Sequence, residues 1–247
     1  MEHLPQKEWF ENWFDTPFYH QLYKDRNDVE AQNFIDNLFL ELSIPSDAKV
    51  LDIACGKGRH SIYMERKGFE VTGIDLSGNS IEYARRFETN KLDFFRHDMR
   101  DVFRVNYFDC AVNLFTSLGY FQDEKDNTRT IQSAATNLKK GGLLVVDFFN
   151  ADWVESSLQK KMDKQCDETM FHITKKIENR TVIKTIHFEN EGKSYQFQET
   201  VSLLKLNDFE KMFISAELTL YKVFGNYQLA DFNVADSPRL ILLGRKV

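Results

Sequence analysis

The segment VLDIACGKGR at 50–59 passes from an apolar run to a polar one through two glycines. Gly56 and Gly58 carry no Cβ, so a ligand can approach the backbone there more closely than a side chain would allow. Asp52 sits inside the apolar run, where a carboxylate needs a partner. About 20 residues further on, GIDL at 73–76 ends the next apolar run with Asp75 and Leu76. A carboxylate at that distance is suited to accept hydrogen bonds from both hydroxyls of a ribose. These residue types predict binding of a nucleoside cofactor. A dinucleotide fingerprint requires a third glycine, so that a pyrophosphate can rest on a helix N-terminus. The chain has Ser61 at that position, which weakens the dinucleotide reading.

These residues need strands to end at them and helices to begin there. Short apolar runs at 49–54, 69–74, 92–96, 108–115 and 143–149 read as strands. Between them, 59–67, 80–87 and 123–138 read as helices. Gly68 serves as a left-handed cap to the first, and Gly141 with Gly142 breaks the third. Alternation of this kind means a parallel sheet covered on both faces. Upstream, Ala31, Phe34, Ile35, Leu38 and Leu42 mark a helix from about 27 to 42, opened by a capping box of Asn27 and Glu30. Trp9, Phe10, Trp13 and Phe14 recur at helical spacing, either as packing or as a lid over a site. From about 168 to 205 the period changes to two, which reads as antiparallel strands with a turn at Glu191 and Gly192. A helix at 208–216 and strands at 218–224 and 239–244 complete the chain.

The pattern D-x-A-C-G-x-G-R from Asp52 resembles motif I of the class I S-adenosylmethionine-dependent methyltransferases. The following segments match that family in order. FRHDM at 95–99 corresponds to the segment in which an acid binds the adenine amino group and the next backbone N–H meets the ring; Asp98 and Met99 take those places. FDCAVN at 108–113 corresponds to the fourth strand, whose end, Asn113, lines the methionine portion. The resemblance therefore implies a cofactor set of Tyr23, Asp52, Ala54, Cys55, Gly56, Gly58, Asp75, Leu76, Asp98, Met99 and Asn113. It also implies a Rossmann-like α/β fold with seven strands in the order 3-2-1-4-5-7-6, the last one antiparallel. Cys55 reads as small filler rather than a nucleophile, and His60 as an exposed or capping residue.

Methyl transfer from a sulfonium is an in-line displacement in which the enzyme aligns the partners and excludes water. No metal is required. FTSLGYF at 115–121 follows the fourth strand. It is similar to a segment of small-molecule methyltransferases, among them the amino-sugar N-methyltransferases, which implies that Tyr120 faces the acceptor. FYHQLYKDR at 18–26 resembles that group's opening, in which a tyrosine closes over the methionine end; Tyr23 is the match, and His20 is a candidate base. In the same group extra antiparallel strands build an acceptor pocket or a dimer contact, so the resemblance allows a homodimer.

The charge balance argues against nucleic acid as substrate. Net charge is −6, and the basic residues are scattered among acids rather than gathered in a stripe. Three cysteines, far apart and without metal-ligand spacing, argue against a disulfide framework or a zinc site. No apolar run is long enough to span a bilayer, and the N-terminus lacks the pattern of a signal peptide. The expectation is a cytoplasmic enzyme with a single domain over 1–247. Its parts are N-terminal helices (1–42), a cofactor core (49–150), an antiparallel insertion (165–205) and a final helix with strands (206–247). It transfers a methyl group from S-adenosylmethionine to N or O of a small-molecule acceptor. The alternatives are a nicotinamide-dependent oxidoreductase and a non-catalytic cofactor-binding module.

Overall fold

The computed structural model describes residues 8–24, 28–121 and 123–247. Asn27, half of the expected capping box, lies outside them. The chain opens with three helices: α1 (Trp9–Trp13), α2 (Pro17–Leu22) and α3 (Asp28–Leu42). Thr16 caps α2 by accepting the Tyr19 N–H, with Pro17 at the first helical position. The alternating core follows: β1 (Lys49–Ile53), α4 (Arg59–Arg66), β2 (Glu70–Asp75), α5 (Gly78–Ala84), β3 (Leu92–Arg96), β4 (Phe108–Asn113), α6 (Glu124–Asn137) and β5 (Leu138–Phe149). A short α7 (Ala151–Ser157) leads to β6 (Lys161–Cys166), β7 (Thr169–Glu178), β8 (Thr181–Asn190) and β9 (Lys193–Ser202). Then come α8 (Leu206–Ser215), β10 (Leu218–Phe224) and β11 (Arg239–Lys246).

The seven-stranded sheet runs β3-β2-β1-β4-β5-β11-β10. Strands β1 to β5 pair in parallel, and β11 lies antiparallel between β5 and β10. The expected order is therefore the observed one. Central strands are buried on both faces, as their continuous apolar runs require. One face packs Phe34, Leu38, Met64 and Ile81 from α3, α4 and α5. The other packs Ile131, Ala134, Phe209 and Phe213 from α6 and α8.

The four-stranded sheet β6-β7-β8-β9 is an antiparallel meander. Its alternation is plain in β7, where Thr169, Phe171 and Ile173 are buried between exposed neighbours. Phe171, Ile173, Ile186 and Phe188 form a small core with Trp13 and Leu22 of the N-terminal helices. The sheet begins at Lys161, earlier than the 165 expected. The strand KMDKQC carries only Met162 and Cys166 as apolar residues, so it shows little period-two signal. Another difference is at Gly141 and Gly142, which do not separate helix from strand. They lie inside β5, where the register with β4 shifts. An added Cβ on Gly142 would stand 2.9 Å from the Lys139 carbonyl oxygen.

One buried ion pair joins β5 to β11. The guanidinium of Arg239 donates to Asp147 through Nε at 2.8 Å and Nη2 at 2.6 Å. Asp147 is wholly buried. It also accepts the Phe115 N–H at 2.8 Å and the Tyr227 hydroxyl at 3.3 Å. Arg239 Nη2 donates in addition to Thr116 Oγ1 at 3.0 Å. Phe115 and Thr116 both hold positive φ, 59° and 60°, a conformation that costs roughly 1–3 kcal/mol per residue outside glycine. The Asp147–Arg239 pair holds that turn. Removing one partner of such a pair leaves an uncompensated buried charge. We expect Arg239→Met to lower unfolding free energy by about 3–5 kcal/mol, measured by urea denaturation. A loss below about 1 kcal/mol would mean that the pair behaves as an exposed one.

Candidate active site

Strand order reverses at β1, which has β2 on one side and β4 on the other. Ligands of open α/β sheets bind beyond the carboxyl ends of the strands at such a point. A cavity of about 340 Å³ opens there. Its floor comes from the loops after β1, β2, β3 and β4, and α1 and α2 supply much of its roof.

The loop after β1 supplies Ala54, Cys55 and Gly56 to the lining. Ala54 and Gly56 have φ of 61° and 57°. A Cβ added to Gly56 would meet nothing within 4 Å, so the space above this backbone is open. Gly58 is different. It is absent from the lining, and a Cβ there would stand 2.5 Å from the Phe94 ring. The ligand-approach role expected of Gly58 gives way to packing of α4 on the sheet. Cys55 is buried, and burial pushes its thiol well above the ordinary range, in keeping with filler.

Two acids lie beneath this loop. Asp75 Oδ2 accepts the Gly56 N–H and Oδ1 accepts the Ser77 N–H, each at 2.8 Å. Burial pushes the Asp75 carboxyl up; the Ser77 and Gly56 N–H groups oppose this and the Asp15 charge adds to it. Asp52 accepts the Ser61 hydroxyl at 2.5 Å. Burial dominates there, with the Ser61 hydrogen bond opposing and the Asp75 charge adding, so its carboxyl is pushed up to about 7. Ser61, which replaces the third glycine of a dinucleotide fingerprint, thus has a positive task.

Leu76, Asp98 and Met99 also line the cavity. Asp98 is gripped by Arg100 through Nε at 3.1 Å and Nη2 at 2.7 Å. Arg100 reaches on to Glu8 and Asp126. Partial burial pushes the Asp98 carboxyl up, and the bonds and charge of Arg100 outweigh it, so it stays below the usual carboxylate range. Asn113 does not line the cavity. Its side-chain amide donates to the Ile53 carbonyl at 3.1 Å, and Leu114 takes its place in the wall.

The remaining wall is aromatic. Tyr23, Tyr19, Phe14 and Tyr120 form a chain with successive centroid separations of 4.9, 4.8 and 5.2 Å, and all four line the cavity. The Tyr120 hydroxyl donates to the Thr116 carbonyl. His20 lines the cavity beside Tyr19, with rings 5.4 Å apart. The expectation of an exposed or capping His60 is overturned: it is buried, lines the cavity and stacks on Phe115 at 4.8 Å. Lys57, Arg59, His97 and Ser117 were likewise not anticipated as lining residues. The adjacency of 57, 59 and 60 to the glycines was the available signal.

Because the Asp52 carboxyl is raised when folded, folded protein binds this proton more tightly than unfolded chain. That contribution to stability is present at low pH and is lost as pH rises through about 7. Asp52→Asn removes it. The variant should therefore gain stability relative to the wild type between pH 5 and pH 8, followed by urea unfolding without ligand. A difference independent of pH would show that Asp52 is already ionised at pH 5.

Among the described residues, no helix is long and apolar enough to cross a membrane. Residues 50–142 match the family model described as a methyltransferase domain. YqeM of Bacillus subtilis (strain 168), named as a methyltransferase, is 28% identical over 218 residues, 84% of this chain and 88% of its own. The dTDP-3-amino-3,4,6-trideoxy-alpha-D-glucopyranose N,N-dimethyltransferase of Streptomyces venezuelae is 24% identical over 176 residues, 69% of this chain and 66% of its own. Among solved structures, an S-adenosylmethionine-dependent methyltransferase from Clostridium acetobutylicum ATCC 824 superimposes with a TM-score of 0.78 at 20% identity, covering 93% of this chain and 96% of that one. The S-adenosylmethionine-bound amino pentose methyltransferase CalS10 from Micromonospora echinaspora gives a TM-score of 0.71 at 16% identity, with both chains covered in full. At those identities the structural likeness speaks for the fold alone. The glycine loop, the strand-end acids and the strand order stand beside a methyltransferase domain matched over residues 50–142, and the chain is similar over most of its length to methyltransferases.

Proposed function

We propose that the cavity holds S-adenosylmethionine and that the enzyme methylates the nitrogen of a small amine. The observation that carries this is the pairing of two walls. On one side are the open Gly56 backbone and the Asp75 carboxylate; on the other is the four-ring aromatic chain. The residues present fit the cofactor. A side chain at 56 would fill the open space, and Asp75 keeps a lone pair on each oxygen for a ribose hydroxyl after its two N–H bonds. Asp98, Met99 and Leu76, which line the cavity, would hold the adenine. When bound, the cofactor supplies an electrophilic methyl group on a sulfonium sulfur.

The protein's own task is to orient, to exclude water and to accommodate positive charge. Aromatic faces attract cations. As an amine nitrogen attacks, positive charge grows on it, and the rings of Tyr19, Phe14 and Tyr120 border the space where it grows. That contribution belongs to the transition state and therefore speeds transfer. A hydroxyl acceptor would require a base to take its proton in the same step. The Tyr120 hydroxyl donates to Thr116 and the Tyr23 hydroxyl to Glu199. An amine can lose its proton before attack or after transfer, and His20, one of three histidines in the lining, is our candidate to take it. The amine-acting relatives support the same acceptor class: the amino-sugar enzyme above, and the glycine N-methyltransferase of Rattus norvegicus, 29% identical over 125 residues and 44% of this chain.

With methyl-labelled S-adenosylmethionine and matched panels of small amines and alcohols, label should appear on amines. Label confined to hydroxyl acceptors would contradict the proposal. Asp75→Asn should weaken S-adenosylhomocysteine binding roughly tenfold, the scale of one hydrogen bond to a charged group, in a variant that keeps the wild-type circular dichroism. Wild-type affinity in this variant would remove Asp75 from the ribose site.

A further inference from the structure

The antiparallel sheet at 161–202 contributes no side chain to the lining of the cavity among the described residues. It nonetheless reaches the wall: Asp167 pairs with Lys24, and a more buried carboxylate, Glu199, reaches Tyr23. Glu199 on β9 stands opposite Lys184 on β8 in the strand register. Their side chains form an ion pair at 3.1 Å and are only 12% and 13% exposed. Glu199 accepts the Tyr23 hydroxyl, 2.8 Å from Oε1 and 2.9 Å from Oε2, and the Trp13 indole N–H at 2.7 Å. Lys184 Nζ donates to the Tyr23 hydroxyl and lies 4.6 Å from the centroid of its ring.

Trp13 ends α1 and Tyr23 follows α2, so this carboxylate holds both helices of the cavity roof. Other ties hold the same roof: Trp9 Nε1 donates to the Tyr120 carbonyl at 3.2 Å, Ser77 Oγ to Asp15 at 2.6 Å, Gln21 Nε2 to the Cys166 carbonyl at 3.0 Å and Lys164 Nζ to the Leu22 carbonyl at 2.8 Å. Glu199 takes donors from both ends of the roof, Trp13 and Tyr23. Hydrogen bonds to a buried charge are the strong ones, and leaving that charge short of donors is costly.

We infer that Glu199, paired with Lys184, is a positioning residue that fixes the Tyr23 ring and the α1–α2 roof over the cofactor cavity. The antiparallel sheet thereby acts on the site at one remove. The inference rests on the reading of the cavity as the cofactor site, and its test separates the two.

Two measurements test it, on the full chain. In ligand-free protein, hydrogen exchange of backbone amides over 9–22 should quicken about tenfold in Glu199→Gln and in Tyr23→Phe, with β1 unchanged. Unaltered exchange in both would overturn the inference, whatever the cofactor. In calorimetry with S-adenosylhomocysteine, each variant should bind about fivefold to tenfold more weakly than wild type. The double variant should bind no more weakly than Glu199→Gln alone, because Tyr23 acts through that carboxylate. Wild-type affinity in the single variants, or losses that multiply, would overturn it. A wild type that binds no S-adenosylhomocysteine would defeat the cofactor reading instead, and the exchange measurement would still decide this one. If Glu199→Gln does not fold, Lys184→Met replaces it, with the same outcomes in both measurements.

Discussion

The Asp75 carboxylate takes one N–H from each of two loops. Gly56 belongs to the loop after β1 and Ser77 to the loop after β2, so one side chain fixes the spacing between two adjacent strand ends. The cofactor groove is the space those ends enclose. The cost is a buried anion, and the chain meets it with backbone donors rather than with a cationic partner. A lysine or arginine there would occupy the space that a ribose requires. The same logic governs Asp52, which is satisfied by Ser61 from the first turn of α4. The two acids at the first two strand ends are thus satisfied by backbone and hydroxyl donors, which leaves the space beside Asp75 open.

The roof obeys a different constraint. Helices of five and six residues are too short to be stable alone, so α1 and α2 depend on what they pack against. Beneath them lie the cavity and the Tyr120 loop; beside them lies the four-stranded sheet, whose apolar face holds Trp13 and Leu22. The Tyr120 loop in turn depends on Asp147 and Arg239, which hold Phe115 and Thr116 in a left-handed conformation. The acceptor side of the site is therefore assembled from segments far apart in the chain. The cofactor side is assembled from neighbours.

This difference in range explains what the sequence disclosed. The glycine loop, Asp75, Asp98 and Met99 lie within or just after strands whose apolar runs are plain, and each signal is local. The strand order came from resemblance to a family and agrees with the observed sheet. Gly58 and Asn113 were misplaced because local pattern does not tell which way a residue turns. Gly58 faces Phe94, 36 positions on, and Asn113 faces Ile53, 60 positions back. The Asp147–Arg239 and Glu199–Tyr23 contacts span 92 and 176 positions, and no periodicity announces such pairs. The early strand β6 escaped notice because its exposed face and its edge position leave few apolar residues to read.

The central claim is that this cavity is an adenosyl site with one ribose-binding carboxylate, and not a dinucleotide site. Isothermal titration of the wild-type protein with S-adenosylhomocysteine, run beside NAD, tests it most directly. The account predicts saturable binding of S-adenosylhomocysteine, with a dissociation constant on the order of micromolar, and no heat from NAD. Binding of NAD with none of S-adenosylhomocysteine would contradict it.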